Sequence, residues 1–278
     1  MGVASPHPQP PAPGHWPGLF VVFEGADGTG KTRQAQALFR RLKQLPLEVM
    51  VVAEPGGTPL GSYVRALVTG QQGLVVLPST TPATAAPAQQ LFSDKIQLPL
   101  SPEAELFLFA ASRAQLVRDV IRPNLERGAV VIADRYAPST MAYQGYGRGL
   151  PKALVRRVND LATGGIWPDL IVLLDVPEPV SQARRKRRRK EDDRFEREVL
   201  AFHRKVRRGY QSMAAHDPGR WLVIKGDRPA RVVQNEVWRG VSPLLVRRKP
   251  SLGPLLGPGG KPEPAATRPE GQVLKLDL

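Results

Sequence analysis

The run Gly25-Ala26-Asp27-Gly28-Thr29-Gly30-Lys31-Thr32 has the residue types and spacing of a phosphate cradle, G-x-x-x-x-G-K-[ST]. Gly25, Gly28 and Gly30 permit backbone angles that turn several N–H groups inward, and a helix starting there adds partial positive charge. Lys31, expected to be exposed, can reach the β- and γ-phosphates of a nucleotide, and Thr32 can hold Mg²⁺. A plain strand-to-helix turn has no need of the Lys-Thr pair. Asp27 is unusual in such a loop, because a carboxylate beside phosphates is unfavourable. It must bind waters of Mg²⁺ or a hydroxyl of a second substrate, or else point to solvent.

Other residues carry chemistry at a distance from this loop. Asp134 and Arg135 follow an apolar run, so both stand at a strand end. There Asp134 can hold Mg²⁺ through water and Arg135 can offer a planar fork to a phosphate. The plain alternative is an ion pair between the two. Phe109 and Arg113 are four residues apart and share a helix face. An aromatic ring with a guanidinium suits a flat base: the ring stacks, and Arg113 donates to a ring carbonyl and rejects an amino group. Leu106 and Phe107 stand beside Phe109, so core packing is its plain alternative. Residues 184–190 are all basic, which reads as a solvated face or as an arm over phosphates.

The elements that must position these groups alternate. Apolar runs at 19–25, 48–57, 129–135, 169–176 and 220–227 predict five strands. Helical patterns fall at 31–45, 59–70, 101–128, 151–164, 178–214 and 230–245, with Ser101 as an N-cap and Pro123 as a kink. Such alternation predicts an α/β fold: a parallel five-stranded sheet with helices on both faces and right-handed crossovers. Ligands in this layout bind at the carboxyl ends of the strands, where each motif above lies. A Pro-rich segment 1–17 and a Pro/Gly-rich segment 247–278 read as disordered tails around a domain at 18–246. Residues 71–101 form a long loop within it, uncharged over 77–90, which is either functional or disordered.

The chain has 278 residues and a formal net charge of +15, which suggests a polyanionic partner. It contains no cysteine, which excludes disulfides, thiolate zinc sites and cysteine nucleophiles. With neither an apolar run of membrane length nor a signal segment, a soluble cytoplasmic protein with no membrane partner is expected. The four histidines, 7, 15, 203 and 216, lie outside the motifs, so no histidine chemistry is expected.

Several pieces stand in a familiar order: "FEGADGTGKT" (23–32), "EPGGTPLG" (54–61), "ELFLFAASRAQ" (105–115), "DRYAPSTMAYQGYGRGL" (134–150), "PDLIVLLDV" (168–176) and "DRFEREVLAFHRKVRRGY" (193–210). With these the chain resembles the bacterial thymidylate kinases, P-loop enzymes that phosphorylate dTMP with ATP, over about residues 19–245. The loop alone would name only a superfamily, whereas "DRY..S..AYQG" after "F..SR" is specific. The resemblance implies ATP on Gly25, Ala26, Asp27, Gly28, Thr29, Gly30, Lys31 and Thr32, with Mg²⁺ at Thr32 and, through water, at Asp134. It implies dTMP against Glu54, Arg65, Phe109, Arg113, Arg135, Thr140, Tyr143 and Gln144, with Tyr143 against the sugar. Lys31, Arg135 and Asp27 would share the catalysis with an arginine from a basic lid at about 184–196. Relatives with glycine at the position of Gly28 carry the catalytic arginine in that lid. Arg187, Arg188 and Arg189 are the candidates, and the sequence does not choose among them; Glu196 would help to order the lid or Mg²⁺.

The family resemblance also implies a homodimer through helices flanking the sheet. Arg33 and Ala53 depart from the residues usual in relatives, and the 71–101 loop is longer than expected. Two other readings remain at this level: another nucleoside or nucleoside monophosphate kinase, and a P-loop protein that binds nucleic acid. Against the second, no aromatic residue interleaves the run 184–190.

Overall fold

The protein is described by a computed structural model covering residues 16–70, 100–187, 195 and 198–256. Five apolar runs form strands β1 (Leu19–Glu24), β2 (Val49–Ala53), β3 (Val130–Asp134), β4 (Leu170–Asp175) and β5 (Trp221–Lys225). They pair in parallel in the order β2-β3-β1-β4-β5. Both faces of the three central strands, β3, β1 and β4, are buried, which is why these read as continuous apolar runs. Successive side chains of β1 serve opposite faces. Val21 and Phe23 join one core with Leu38 and Leu42 of α1 (Lys31–Leu42) and Val237 and Val241 of α9 (Ala230–Arg248). Phe20 and Val22 join the other with Leu116, Ile121 and Leu125.

The long central helix is not continuous. Helix α3 (Pro102–Leu116), capped by Ser101 Oγ at 3.2 Å from Ala104 N, passes into a wide π-type turn at Val117–Ile121 and then into α4 (Arg122–Glu126). The irregularity precedes Pro123, which cannot donate to the turn below it. Helices α2 (Pro59–Thr69) and α6 (Lys152–Thr163) pack on α3. A short α5 (Ala137–Thr140) and a second π-type turn (Met141–Gly147) follow β3, where the sequence had suggested no element. The stretch expected as one basic helical region, 178–214, divides into α7 (Glu178–Lys186) and α8 (Leu200–His216).

Order continues past the expected boundary at 246. Helix α9 reaches Arg248, and a 3₁₀ helix at Pro250–Leu256 buries Leu252 and Leu256 in the core beside α9. Arg248 donates to Trp16 O at 2.6 Å and pairs with Asp169, fastening both ends of the folded chain. Two leucines four apart supplied that anchor within a Pro/Gly-rich composition that otherwise reads as unfolded. Residues 1–15, 71–99 and 257–278, with most of both expected tails and of the long loop, lie outside the described residues. Among the described residues no helix is long and apolar enough to cross a membrane.

Candidate active site

The run 25–32 joins β1 to α1 at the carboxyl edge of the sheet. Gly25, Gly28 and Gly30 all have positive φ, as an inward-turned loop requires. Gly28 is also closed in from outside. A Cβ there would lie 2.5 Å from Ser181 O and 3.1 Å from Arg185 Cγ, so α7 packs directly on the loop. Lys31 is buried rather than exposed, contrary to expectation: its Nζ folds back to donate to Ala26 O at 2.9 Å. Burial, with Arg135 nearby, brings its ammonium down to about 8 despite Asp27 and Asp134. Thr32 is exposed and donates to Asp134 Oδ2, which joins the start of α1 to the end of β3.

Asp27 turns inward, not to solvent. Its carboxylate accepts from Arg135 Nη2 and, at 2.6 Å, from Tyr143 OH. Burial alone would raise Asp27, but Arg135 and Lys31 outweigh it and hold the carboxyl well below the usual range. Arg135 therefore pairs with Asp27 and not with its neighbour Asp134. It is the one described non-glycine residue with positive φ, at 75°, a strained conformation that surrounding structure must enforce. The restraints are visible: Nη1 donates to Gly25 O at 3.2 Å and Ser139 Oγ at 3.0 Å, and Nη2 to Tyr143 OH at 3.2 Å.

The residues expected to form the acceptor wall come from separate elements. Arg113 on α3 is 1% exposed. Its Nε donates to Glu54 Oε2 at 2.9 Å, Nη1 to Asn159 Oδ1 at 2.8 Å and Nη2 to Thr140 Oγ1 at 2.8 Å. With five N–H groups, the fork keeps a donor on Nη1 for a ligand. Glu54 Oε1 is buried without a hydrogen bond among the described residues. Burial pushes Glu54 up to about 7 against the opposing pull of Arg113. Phe109 is half-buried and meets the Phe195 ring at 5.9 Å, while Tyr143 meets Phe195 edge-on at 5.8 Å. Gln144 is buried and donates to Glu105 Oε1 at 2.6 Å. Arg65 on α2 is exposed and reaches Pro55 O at 3.1 Å.

Only some of the residues expected to form a lid are described. Arg187 is exposed at the end of α7, whereas Arg188, Arg189 and Glu196 lie outside the described residues. Arg184 donates to Gly226 O at 3.0 Å and Arg185 to Asp27 O at 3.3 Å, so these two hold backbone of the phosphate side. Arg33 is exposed on α1.

Sequence reasoning missed the supports. Glu24, fully buried at the end of β1, accepts from Tyr136 N at 2.9 Å, Ser139 Oγ at 2.6 Å and Tyr210 OH at 2.9 Å. Its carboxyl is raised by burial, with Arg135 opposing. Its signal was a lone acid closing an apolar strand. Asn159 shares the buried face of α6 with Val155, four residues before it, and Glu105 sits in the apolar run "ELFLF". A polar residue on an apolar face was the available clue in both.

A family profile described as thymidylate kinase matches residues 23–97 and 77–237. A thymidylate kinase of Thermomicrobium roseum is 42% identical over 233 residues, covering 84% of this chain and 98% of the relative. One from Deinococcus radiodurans is 43% identical over 225 residues, covering 81% and 97%. A crystal structure of thymidylate kinase from Ehrlichia chaffeensis superposes with a TM-score of 0.59 at 29% identity, covering 81% of this chain and 98% of that one.

Proposed function

The chain belongs to the thymidylate kinase family, and on that premise we propose that it transfers the γ-phosphoryl group of ATP directly to dTMP, giving ADP and dTDP. The observation that carries this reading is the Asp27–Arg135–Tyr143 cluster, which ties the phosphate loop to the acceptor wall. Donor and acceptor phosphates meeting there would need no covalent enzyme intermediate, so positioning and electrostatics carry the catalysis. ATP lies along residues 25–32, and Lys31 turns from Ala26 O to the β- and γ-phosphates. Arg135, with Arg65 from α2, holds the acceptor phosphate. Phe109 stacks on the base, and Arg113, Thr140 and Gln144 read its edge. Tyr143 lies against the sugar, and Glu54 Oε1 accepts a hydroxyl there. An arginine among 187–189 closes on the transferred group.

Thr32 and Asp134 fit Mg²⁺, an ion that takes one or two protein oxygens and completes its shell with phosphate and water. Bound there, the ion would neutralise charge on the β- and γ-phosphates. We place the enzyme in the cytoplasm as a homodimer. Phe107 on α3 and Leu161 on α6 are 57% and 83% exposed and support contact through those helices. Light scattering should give twice the chain mass.

The test of function is ADP formation from ATP with dTMP, dUMP, UMP, dCMP and thymidine in turn. The reading requires the highest kcat/KM for dTMP. Preference for UMP, dCMP or thymidine would overturn it.

A further inference from the structure

We propose that Glu105, clamped by Arg148, fixes the orientation of the Gln144 amide and so makes this wall selective for bases carrying a ring N–H. The inference rests on the reading above, in which the acceptor base lies beside Gln144. Glu105 is fully buried on α3, and Gln144 is 1% exposed on the turn after α5. Gln144 Nε2 donates to Glu105 Oε1 at 2.6 Å. Arg148 closes the other side as a fork, Nε to Oε1 and Nη2 to Oε2, each at 3.2 Å. Its remaining arm, Nη1, donates to Glu198, just before α8.

The chemistry leaves one arrangement. An ionised carboxylate accepts and never donates, so Gln144 can meet Glu105 only through its NH₂ end. Turning the amide over would set oxygen against oxygen in a buried place, with Arg148 already forked onto that carboxylate. The amide oxygen must therefore face away from Glu105. Gln144 lies four residues beyond Thr140, so in the reading above it is this oxygen that the base meets. An acceptor presented there complements the N3–H of thymine or uracil. Cytosine has an unprotonated N3, so oxygen would face nitrogen lone pair. Discrimination against cytosine thus has two sources, Arg113 at the exocyclic position and the Glu105-set amide at the ring nitrogen.

Glu105→Gln tests this, because a glutamine gives Arg148 and Gln144 one acceptor oxygen in place of two and carries no charge, which weakens the hold on the Gln144 amide. kcat/KM is measured with dTMP and dCMP for the wild type, Glu105→Gln and Gln144→Ala, with thermal melts alongside. The expected result is a dTMP:dCMP ratio about tenfold lower in Glu105→Gln, about the worth of one buried hydrogen bond. Activity on dTMP should fall through KM while activity on dCMP holds or rises; a merely structural loss would lower both together. An unchanged ratio in Glu105→Gln, with a lowered ratio in Gln144→Ala, would overturn the orienting role. If Glu105→Gln gives no cooperative melt, Arg148→Lys replaces it, keeping charge but losing the fork. A several-fold lower ratio then supports the proposal and an unchanged one overturns it. Wild-type protein inactive on dTMP would instead remove the functional reading, and this proposal with it.

Discussion

Eight consecutive residues, 25–32, form the phosphate loop, and much of what it offers a ligand is backbone. The acceptor wall draws side chains from Glu54, Phe109, Arg113, Thr140, Tyr143, Gln144 and Asn159, spread over five elements or their edges. In the loop, conformation is set locally by glycines with positive φ and by the start of α1. In the wall, each side chain is held by another, and Arg113 alone touches three partners on three elements. Changes in the loop should therefore act one at a time on transfer. Changes in the wall should spread into stability and be non-additive.

The largest effect should come from the phosphate side. Replacing Arg187, Arg188 and Arg189 together with alanine should lower kcat about 10³-fold, the range of an arginine finger. KM for dTMP should move little, because in the proposed arrangement Arg65 and Arg135 hold that phosphate. Near-normal kcat would place the catalytic arginine elsewhere, with Arg184, Arg185 and Arg194 the next to examine, although the first two already hold backbone.

Arg113→Ala should break the wall in both senses. It strands Glu54 as a buried carboxyl without its partner, at a cost of about 3–5 kcal/mol in denaturant unfolding. The dTMP:dCMP preference should fall as well, by about 1.5–3 kcal/mol, the worth of a hydrogen bond to a charged group. A variant of unaltered stability would contradict the buried ion pair; an unaltered preference would mean that Arg113 does not read the base.

Gly28→Ala sharpens the comparison from the loop side. The new Cβ meets Ser181 O, a backbone atom, and φ is +81°, so about 1–3 kcal/mol of strain is expected. The expected signature is a lower kcat with an unchanged dTMP:dCMP ratio. A shifted ratio would show the two regions to be coupled.

The smallest effect is a fraction of a proton. Free Lys31 titrates near 8, and phosphate anions must raise it. ATP binding at pH 8 should take up about half a proton, and at pH 7 about a tenth, with little uptake in Lys31→Ala. Calorimetry in buffers of different ionisation enthalpy reads this directly. Proton release on binding would reverse the sign and refute the argument.

The same contrast explains what could be read from the sequence. Five strands and the phosphate loop were legible because their signals are contiguous: apolar runs, and glycines at fixed offsets from Lys31 and Thr32. The candidates for the wall came from the spacing of Phe109 and Arg113 and from resemblance, but neither showed how these residues pair. Nothing local in "EPGG" says that Glu54 grips Arg113, or that Arg135 prefers Asp27 to the adjacent Asp134. Lys31 was misread as exposed because nothing in residue type says that its Nζ folds back to Ala26 O. The π-type turn at Met141–Gly147 left no signal in residue type, and the buried leucines 252 and 256 were masked by the Pro/Gly composition around them.

The central claim is direct transfer between two phosphates gathered at the Asp27–Arg135–Tyr143 cluster. The measurement that meets it most directly is a single turnover with γ-labelled ATP and dTMP, followed by rapid quench and separation of nucleotide, inorganic phosphate and protein. The account predicts label passing from ATP to dTDP in one phase, with none held on the protein at any time and little released as phosphate. Label appearing first on the protein, or leaving chiefly as inorganic phosphate in the presence of dTMP, would contradict it.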